Sequence, residues 1–275
     1  MRLVSPRRAA SPVTAGIRRA CPGAAGIILA FGLAQLALQA GGVSQAVFPL
    51  PSTVLSDTAD VLRDGSFWTA AIQTMTSWAE GLGTAAGLGV TAGLALGTLP
   101  RAEYAVRPLV EFLRPVPSVI LLPLVLLIVQ NSHGTEVVLI AFAAVWPVLV
   151  NTVYGIGEVD PLARQTLRSF GFGPAAVAWR VSLPSAAPFI AAGVRIAASV
   201  AFTVAVAVEL IGSGMNGIGN YLVQQESSGN ASTVPLLALA VLAGLLGLLI
   251  NAVLAGAERR AFRWHHLQTA AADRA

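Results

Sequence analysis

Four ionisable residues, Glu111, Arg114, Arg195 and Glu209, fall within stretches that are otherwise almost wholly apolar. A charge at mid-membrane costs about 2.5 to 3.5 kcal/mol on insertion scales, so such side chains face protein or a water-filled cavity and mark solute paths or fixed helix crossings. Arg195 and Glu209 lie roughly 21 Å apart along a common helix and about 40° apart around it, so they share a face without pairing directly. Glu209 either lines a path or holds a helix crossing; Arg195 does one of these or extends its guanidinium to the interface. Other chemistries are excluded by what is missing. All 17 basic residues are Arg and no Lys occurs, so there is no G-x-x-x-x-G-K-[ST] phosphate loop and no amine for Schiff-base chemistry. Cys21 is the single cysteine, which rules out an internal disulfide and any C-x-x-C site. His133, His265 and His266 lack a carboxylate or thiol cluster at ligand spacing and read as solvated or interfacial. No G-x-S-x-G or H-E-x-x-H occurs, so no catalytic, cofactor-binding or metal-ligating residues are expected.

The elements that must position these residues are membrane spans. The chain is 55% hydrophobic and 11% charged, against about 25% charged for soluble domains. Six windows have the ~20 apolar residues that cross the hydrocarbon layer: 24–43, 79–99, 109–130, 135–156, 188–211 and 234–256. An apolar run longer than a signal-peptide core, with no convincing cleavage site, marks the first as a retained anchor. Six spans put both termini on one side. Placing that side in the cytoplasm collects Arg2, Arg7, Arg8, Arg18, Arg19, Arg101, Arg107, Arg164, Arg168, Arg180, Arg259, Arg260, Arg263 and Arg274 inside, against Arg63 alone outside, as the positive-inside rule requires. The expected organisation is a cytoplasmic arm over 1–23, an all-α integral membrane domain of six helices over 24–256, and a cytoplasmic tail over 257–275. Lipid is a partner on these grounds and nucleic acid is not.

Gly83, Gly87, Gly89, Gly93 and Gly97 form small-xxx-small pairs in the second span, where close backbone approach serves either packing within one subunit or a dimer interface. The loop 157–187 is too long for a turn. Asp160-Pro161 opens it as an N-cap with Pro at the first helical position. Leu162, Leu167 and Phe170 then supply apolar side chains, with Arg164 and Arg168 one turn apart on a neighbouring face. Gly171-Phe172-Gly173-Pro174 breaks this helix, and a left-handed Gly171 is expected at the turn. A second short helix through Trp179 and Val181 should end near Leu183-Pro184, because the residue before proline is pushed out of the α region. Such an elbow is either a rigid apolar and cationic knob for a partner's groove or a lid on the bundle.

At the elbow the sequence resembles the permease subunits of ATP-binding-cassette importers. Their cytoplasmic loop reads E-A-A-x-x-x-G, then nine residues, then I-x-L-P, and it docks on the ATPase. Here Gly171 and Leu183-Pro184 keep the spacing, Val181 takes the Ile position, and Arg168 resembles a basic residue common within the motif. Gln165-Thr166-Leu167 replaces Glu-Ala-Ala. The resemblance extends to the sulfonate, taurine and nitrate branch through Phe48-Pro49-Leu50-Pro51-Ser52, Arg114-Pro115-Val116-Pro117 with Leu122-Pro123-Leu124, Pro184-Ser185-Ala186-Ala187-Pro188 with Gly193 and Arg195, and Glu209 with Gly217-Ile218-Gly219. Gln130-Asn131-Ser132-His133-Gly134 departs from the branch. The resemblance implies a type I importer permease fold with a cytoplasmic coupling helix in the inner membrane. It implies ATP bound by separate ATPase subunits, solute delivered by a substrate-binding protein, and a homodimer around the path. An alkanesulfonate, taurine or a nitrate-like anion leads as solute, with a vitamin precursor or other small organic solute behind. A secondary transporter is the weaker alternative, since ion coupling needs no docking elbow. The coupling residues implied are Arg164, Leu167, Arg168, Phe170, Gly171, Val181, Leu183 and Pro184; Arg114, Pro117, Arg195 and Glu209 are candidates for the path or for helix packing.

Overall fold

The computed structural model describes residue 26 and residues 29–40, 48–212, 214–227 and 234–262. Cys21, His265, His266, the arm over 1–23 and most of the tail lie outside the described residues. The chain is all helical there. A short apolar helix α1 (Leu29–Ala40) precedes α2 (Pro51–Val61), and the Gln35 amide joins them by donating to Ser52 Oγ at 3.2 Å. Then follow α3 (Gly65–Thr98), α4 (Pro100–Leu113), a 3-10 turn (Ser118–Leu121), α5 (Leu122–Val129) and α6 (Ser132–Gly157). The elbow is α7 (Pro161–Ser169), α8 (Pro174–Val177) and a π-helical turn (Ala178–Ser182); α9 (Leu183–Ile211), α10 (Ile218–Ser227) and α11 (Val234–Ala261) complete the chain.

Among the described residues four helices are long and apolar enough to cross a membrane, and five if α4 and α5 together make one bent span; the expected first span over 24–43 lies partly outside the described residues. The bend corrects the expectation of a continuous third span over 109–130. Between Arg101–Leu113 and Ser118–Val129 the axis turns by 82°. Pro115 and Pro117 have no N–H to give, so the helical hydrogen-bond ladder lapses there although Arg114 itself keeps α-helical angles (φ −55°, ψ −44°). Two other boundaries differ. The second span begins at Gly65 rather than 79, because Thr69, Thr74 and Thr76 direct their hydroxyls to carbonyls one turn back; a hydropathy window counts those residues as polar. The helix through Trp179 does not stop at Leu183-Pro184. The Leu183 N–H donates to Ala178 O, five residues back, and a widened π turn gives room for the Pro184 ring. Helix then runs unbroken from Pro174 to Ile211.

The core is the seam where α3, α6 and α9 meet. Water exclusion does not press helices together in lipid, so close van der Waals fit does. Gly81, Ala85, Gly89, Gly93 and Gly97 recur every four residues on α3. A methyl group at Gly89 would lie 2.7 Å from Val148 Cβ, at Gly93 2.5 Å from Thr152 Cβ, and at Gly97 2.8 Å from Ile156 Cβ. The packing face thus includes Gly81, whose Cβ would lie 2.6 Å from Ile140 Cβ, and omits Gly83 and Gly87, which have open space. Gly193 of α9 sits as closely on Asn151. A part-buried polar link between α3 and α9 crosses the seam, Trp78 Nε1–H donating to Ala198 O at 2.9 Å.

Candidate functional site

The elbow follows α6 at one pole of the bundle. Asp160 Oδ1 accepts from the Leu162 N–H at 2.8 Å and Pro161 stands at the first helical position, so α7 starts as its sequence dictates. It ends in a double hydrogen-bonded stop. The Gly171 N–H donates to Arg168 O at 2.9 Å, the Phe172 N–H to Leu167 O at 3.1 Å, and Gly171 takes φ +81°, the left-handed residue that closes a Schellman motif. Gly173 and Pro174 then start α8.

This frame holds large apolar side chains in solvent. Leu162 is 68% exposed, Phe170 78% and Trp179 72%. Leu167, Val181 and Leu183 are half-buried, and Arg168 and Pro184 exposed. Trp179 is a candidate that sequence reasoning left out of the contact set; an aromatic in a cytoplasmic loop was the available signal. Arg164 does not stand on a wet rim. Its Nη2 donates to the Ile156 carbonyl at the end of α6, so a cation caps a helix C-terminus and ties the elbow to the bundle. Arg180 lies 4.8 Å from the Phe172 ring centroid, a cation–π contact that steadies the turn.

The opposite pole gathers polar groups inside. Glu209, buried near the end of α9, accepts from the Gly219 N–H at 2.9 Å, and the Ile218 N–H donates to Thr74 Oγ1 at 2.9 Å. The first amides of α10 are thereby satisfied by two spanning helices. Gly217 takes φ +133°, and Gly219 approaches so closely that a Cβ would lie 2.7 Å from Glu209 Cβ. Glu136 is buried beside Glu209 and Ser77. His133 bridges Ser77 Oγ at 3.2 Å and Glu80 Oε2 at 2.8 Å. Sequence reasoning missed Glu136, although an acid at the margin of the span predicted over 135–156 was a visible signal. Tyr221 OH donates to Asp64 Oδ2 at 2.7 Å; Ser66 and then Tyr221 hold the Asp64 carboxyl below its ordinary value by hydrogen bonding.

The remaining candidates separate. Arg195 Nη1 lies 3.2 Å from Glu258 Oε2, an ion pair between α9 and α11. Arg114 is exposed at the end of α4, and Pro117 at the bend.

The family described as "Binding-protein-dependent transport system inner membrane component" matches residues 85–263. The chain belongs to this family. It is 30% identical to the nitrate import permease protein NrtB of Leptolyngbya laminosa, over 91% of this chain and 94% of that one. It is 29% identical to the taurine transport system permease protein TauC of Escherichia coli, over 81% and 82%. It is 30% identical to the bicarbonate transport system permease protein CmpB of a Synechocystis species, over 69% and 67%. In fold it is similar to a chain of the crystal structure of an amino acid ABC transporter with histidines, with TM-score 0.61 and 19% identity over 74% of this chain and 97% of that one. The type I importer permease fold is consistent with this match. The chain is the inner-membrane permease of an importer, with a separate ATPase and a substrate-binding protein as partners. Both the elbow and the buried carboxylates fall within the matched region of this permease.

Proposed function

We propose that two copies of this permease enclose the path of a small oxyanion, an alkanesulfonate, taurine or a nitrate-like solute, and that the elbow Pro161–Ser182 docks on the ATPase. The observation that carries the reading is the set of exposed side chains Leu162, Phe170 and Trp179 on a doubly capped elbow. Large apolar groups held rigidly in water fit a partner's groove. Bicarbonate, nitrate and taurine, named for the relatives, support an oxyanion; a vitamin precursor or other small organic solute is the second reading. The arginine distribution puts the elbow and both termini in the cytoplasm. ATP closure then draws the two elbows together and tips the path between its openings, a rigid-body change driven at an interface. ATP stays on the partner, because this chain has no Lys for a phosphate loop. Lipid covers the outward apolar faces of α5 and α11.

The experiment reconstitutes the chain in proteoliposomes with its partner ATPase and binding protein. ATP-dependent uptake of taurine, methanesulfonate, nitrate or bicarbonate is expected. Uptake of none of them, with the ATPase stably bound, would sink the oxyanion reading and leave the permease role. A phosphatase reporter fused after Ser56 should be active and one fused after Gly173 silent; the reverse would invert the topology.

A further inference from the structure

We propose that the guanidinium of Arg114 faces the solute path at the break between α4 and α5 and binds the oxyanion transiently as it passes. The inference rests on the permease reading above and adds a residue and a place to it.

The break lies against the bundle and within its length: Val119 and Leu121 of the 3-10 turn pack on the core cluster of α3, α6 and α9, and Arg114 lies beside Leu149, Val150 and Val153 of α6, short of that helix's end at Gly157. Non-helical backbone at such depth is stable only where it is covered by protein or lines a water-filled cavity. Arg114 ends α4 and its side chain is exposed. It lines a cleft of about 340 Å³ between α4 and α6, with Glu103, Arg107, Glu111, Leu149, Val153 and Tyr154 among its walls.

The charges in that cleft are not equivalent. Arg107 Nε lies 3.0 Å from Glu111 Oε1, and Glu103 adds to the negative field on Arg107. These three satisfy one another at the elbow side. The Arg114 side chain makes no ion pair or hydrogen bond with any described residue. An arginine exposed beside a spanning helix without a counter-ion is unstable against hydrocarbon, so water or a passing solute must meet it. Its planar fork of donors matches two oxygens of a sulfonate, nitrate or bicarbonate. One unsupported guanidinium also gives the weak attraction that conduction requires, strong enough for entry and weak enough for release. Two copies related by a twofold axis would set two such cations across the path.

The test uses cysteine scanning in the complete importer, with Cys21→Ser as background. Arg114→Cys is treated with a cationic and an anionic methanethiosulfonate, and Leu127→Cys, 73% exposed on α5, is the control. The thiolate is the reacting form and does not persist in hydrocarbon, so position 114 should label about 100-fold faster than position 127. In uptake, Arg114→Gln should lose about tenfold or more while Arg114→Lys keeps most activity. The cationic adduct at 114 should restore uptake and the anionic adduct should abolish it. Co-purification of the ATPase with each variant checks folding. Labelling at 114 as slow as at 127 would overturn the placement. Fast labelling with Arg114→Gln uptake within about twofold of the parent would overturn the binding role. A parent importer that moves none of the oxyanions removes the functional reading and the anion role with it, and the labelling ratio still decides the placement.

Discussion

The two poles of the bundle solve opposite problems with the same materials. At the elbow, Phe170 and Trp179 are held out in water by backbone caps and by one inward arginine. At the other pole, Glu136 and Glu209 are held inside by hydroxyls and amide N–H groups. The first arrangement leaves apolar surface without a partner in this chain, and the second gives the Ile218 and Gly219 N–H groups acceptors while Glu136 Oε1 and Glu209 Oε1 stay buried without a hydrogen bond among the described residues. Substitutions at the two poles should therefore register in different measurements. Changes at the elbow should be felt in association with the ATPase, and changes at the carboxylate pole in the stability of the permease itself.

The sharpest way to break that contrast is at Phe170. Phe170→Ala should weaken ATPase docking by roughly 2 to 4 kcal/mol if the ring is fully buried in the partner, with no change in the thermal midpoint of the isolated chain. Trp179→Ala should act in the same direction. Titration of detergent-solubilised permease with the ATPase reads both; a lowered midpoint with unchanged docking would make the elbow a lid on its own bundle.

Glu209→Ala probes the other pole. The Gly219 N–H would be left buried without an acceptor, and such a loss costs about 1 to 3 kcal/mol. The thermal midpoint should fall while ATPase docking, measured below that midpoint, stays as in the parent. Docking lost in proportion to stability would mean that the two poles are not separable.

Arg164 links the poles' logics, since it is an elbow residue with a structural bond. Arg164→Ala should cost about 1 to 2 kcal/mol through the freed Ile156 carbonyl, affecting stability and docking together. Gly171→Ala should cost about 1 kcal/mol for a side chain at positive φ, felt mainly in docking because the site is open. Hydrogen exchange across Pro161–Ser169 separates them, with faster exchange expected in both variants and at the end of α6 only for Arg164→Ala.

The elbow was legible because its signals are local. Asp160-Pro161 and Gly171 act on backbone groups two to five positions away, so type and spacing suffice to read them. The α9 start was misread because the Leu183-Pro184 rule assumes an α turn, and the π turn removes the assumption. The glycine face was shifted, with Gly81 in and Gly83 and Gly87 out, because composition shows that notches exist and only the partner helix shows which are filled. Glu136 and the Arg195–Glu258 pair depend on helices far apart in sequence, and no spacing rule reaches them. The third span was seen as apolar and its proline pairs were noted, yet an 82° turn follows only once α6 and α9 give the break a surface to rest on.

The smallest expected effect sharpens the contrast from the rim of the carboxylate pole. Asp64 is half-buried and caps α3 by accepting from the Ser66 N–H at 2.9 Å. Its carboxyl is held below the ordinary value of 3.8 by Ser66 and Tyr221. A lowered carboxyl pKa contributes stability that is present above the ordinary value and is lost as pH falls through the folded one. Asp64→Asn keeps an N-cap of equal rank and removes the titration. At neutral pH the variant's midpoint should lie below the parent's, because the hydrogen bonds that favour the charged form are lost, and the two should converge as pH falls. As pH falls below the ordinary carboxyl value the parent should lose more of its midpoint than the variant. Tyr221→Phe removes one of the donors that stabilise the charged form, so its acid limb should begin at higher pH than the parent's. A parent and an Asp64→Asn variant with superimposable acid limbs would show that this rim carboxylate does not report on the pole at all, and that only the buried pair distinguishes it from the elbow.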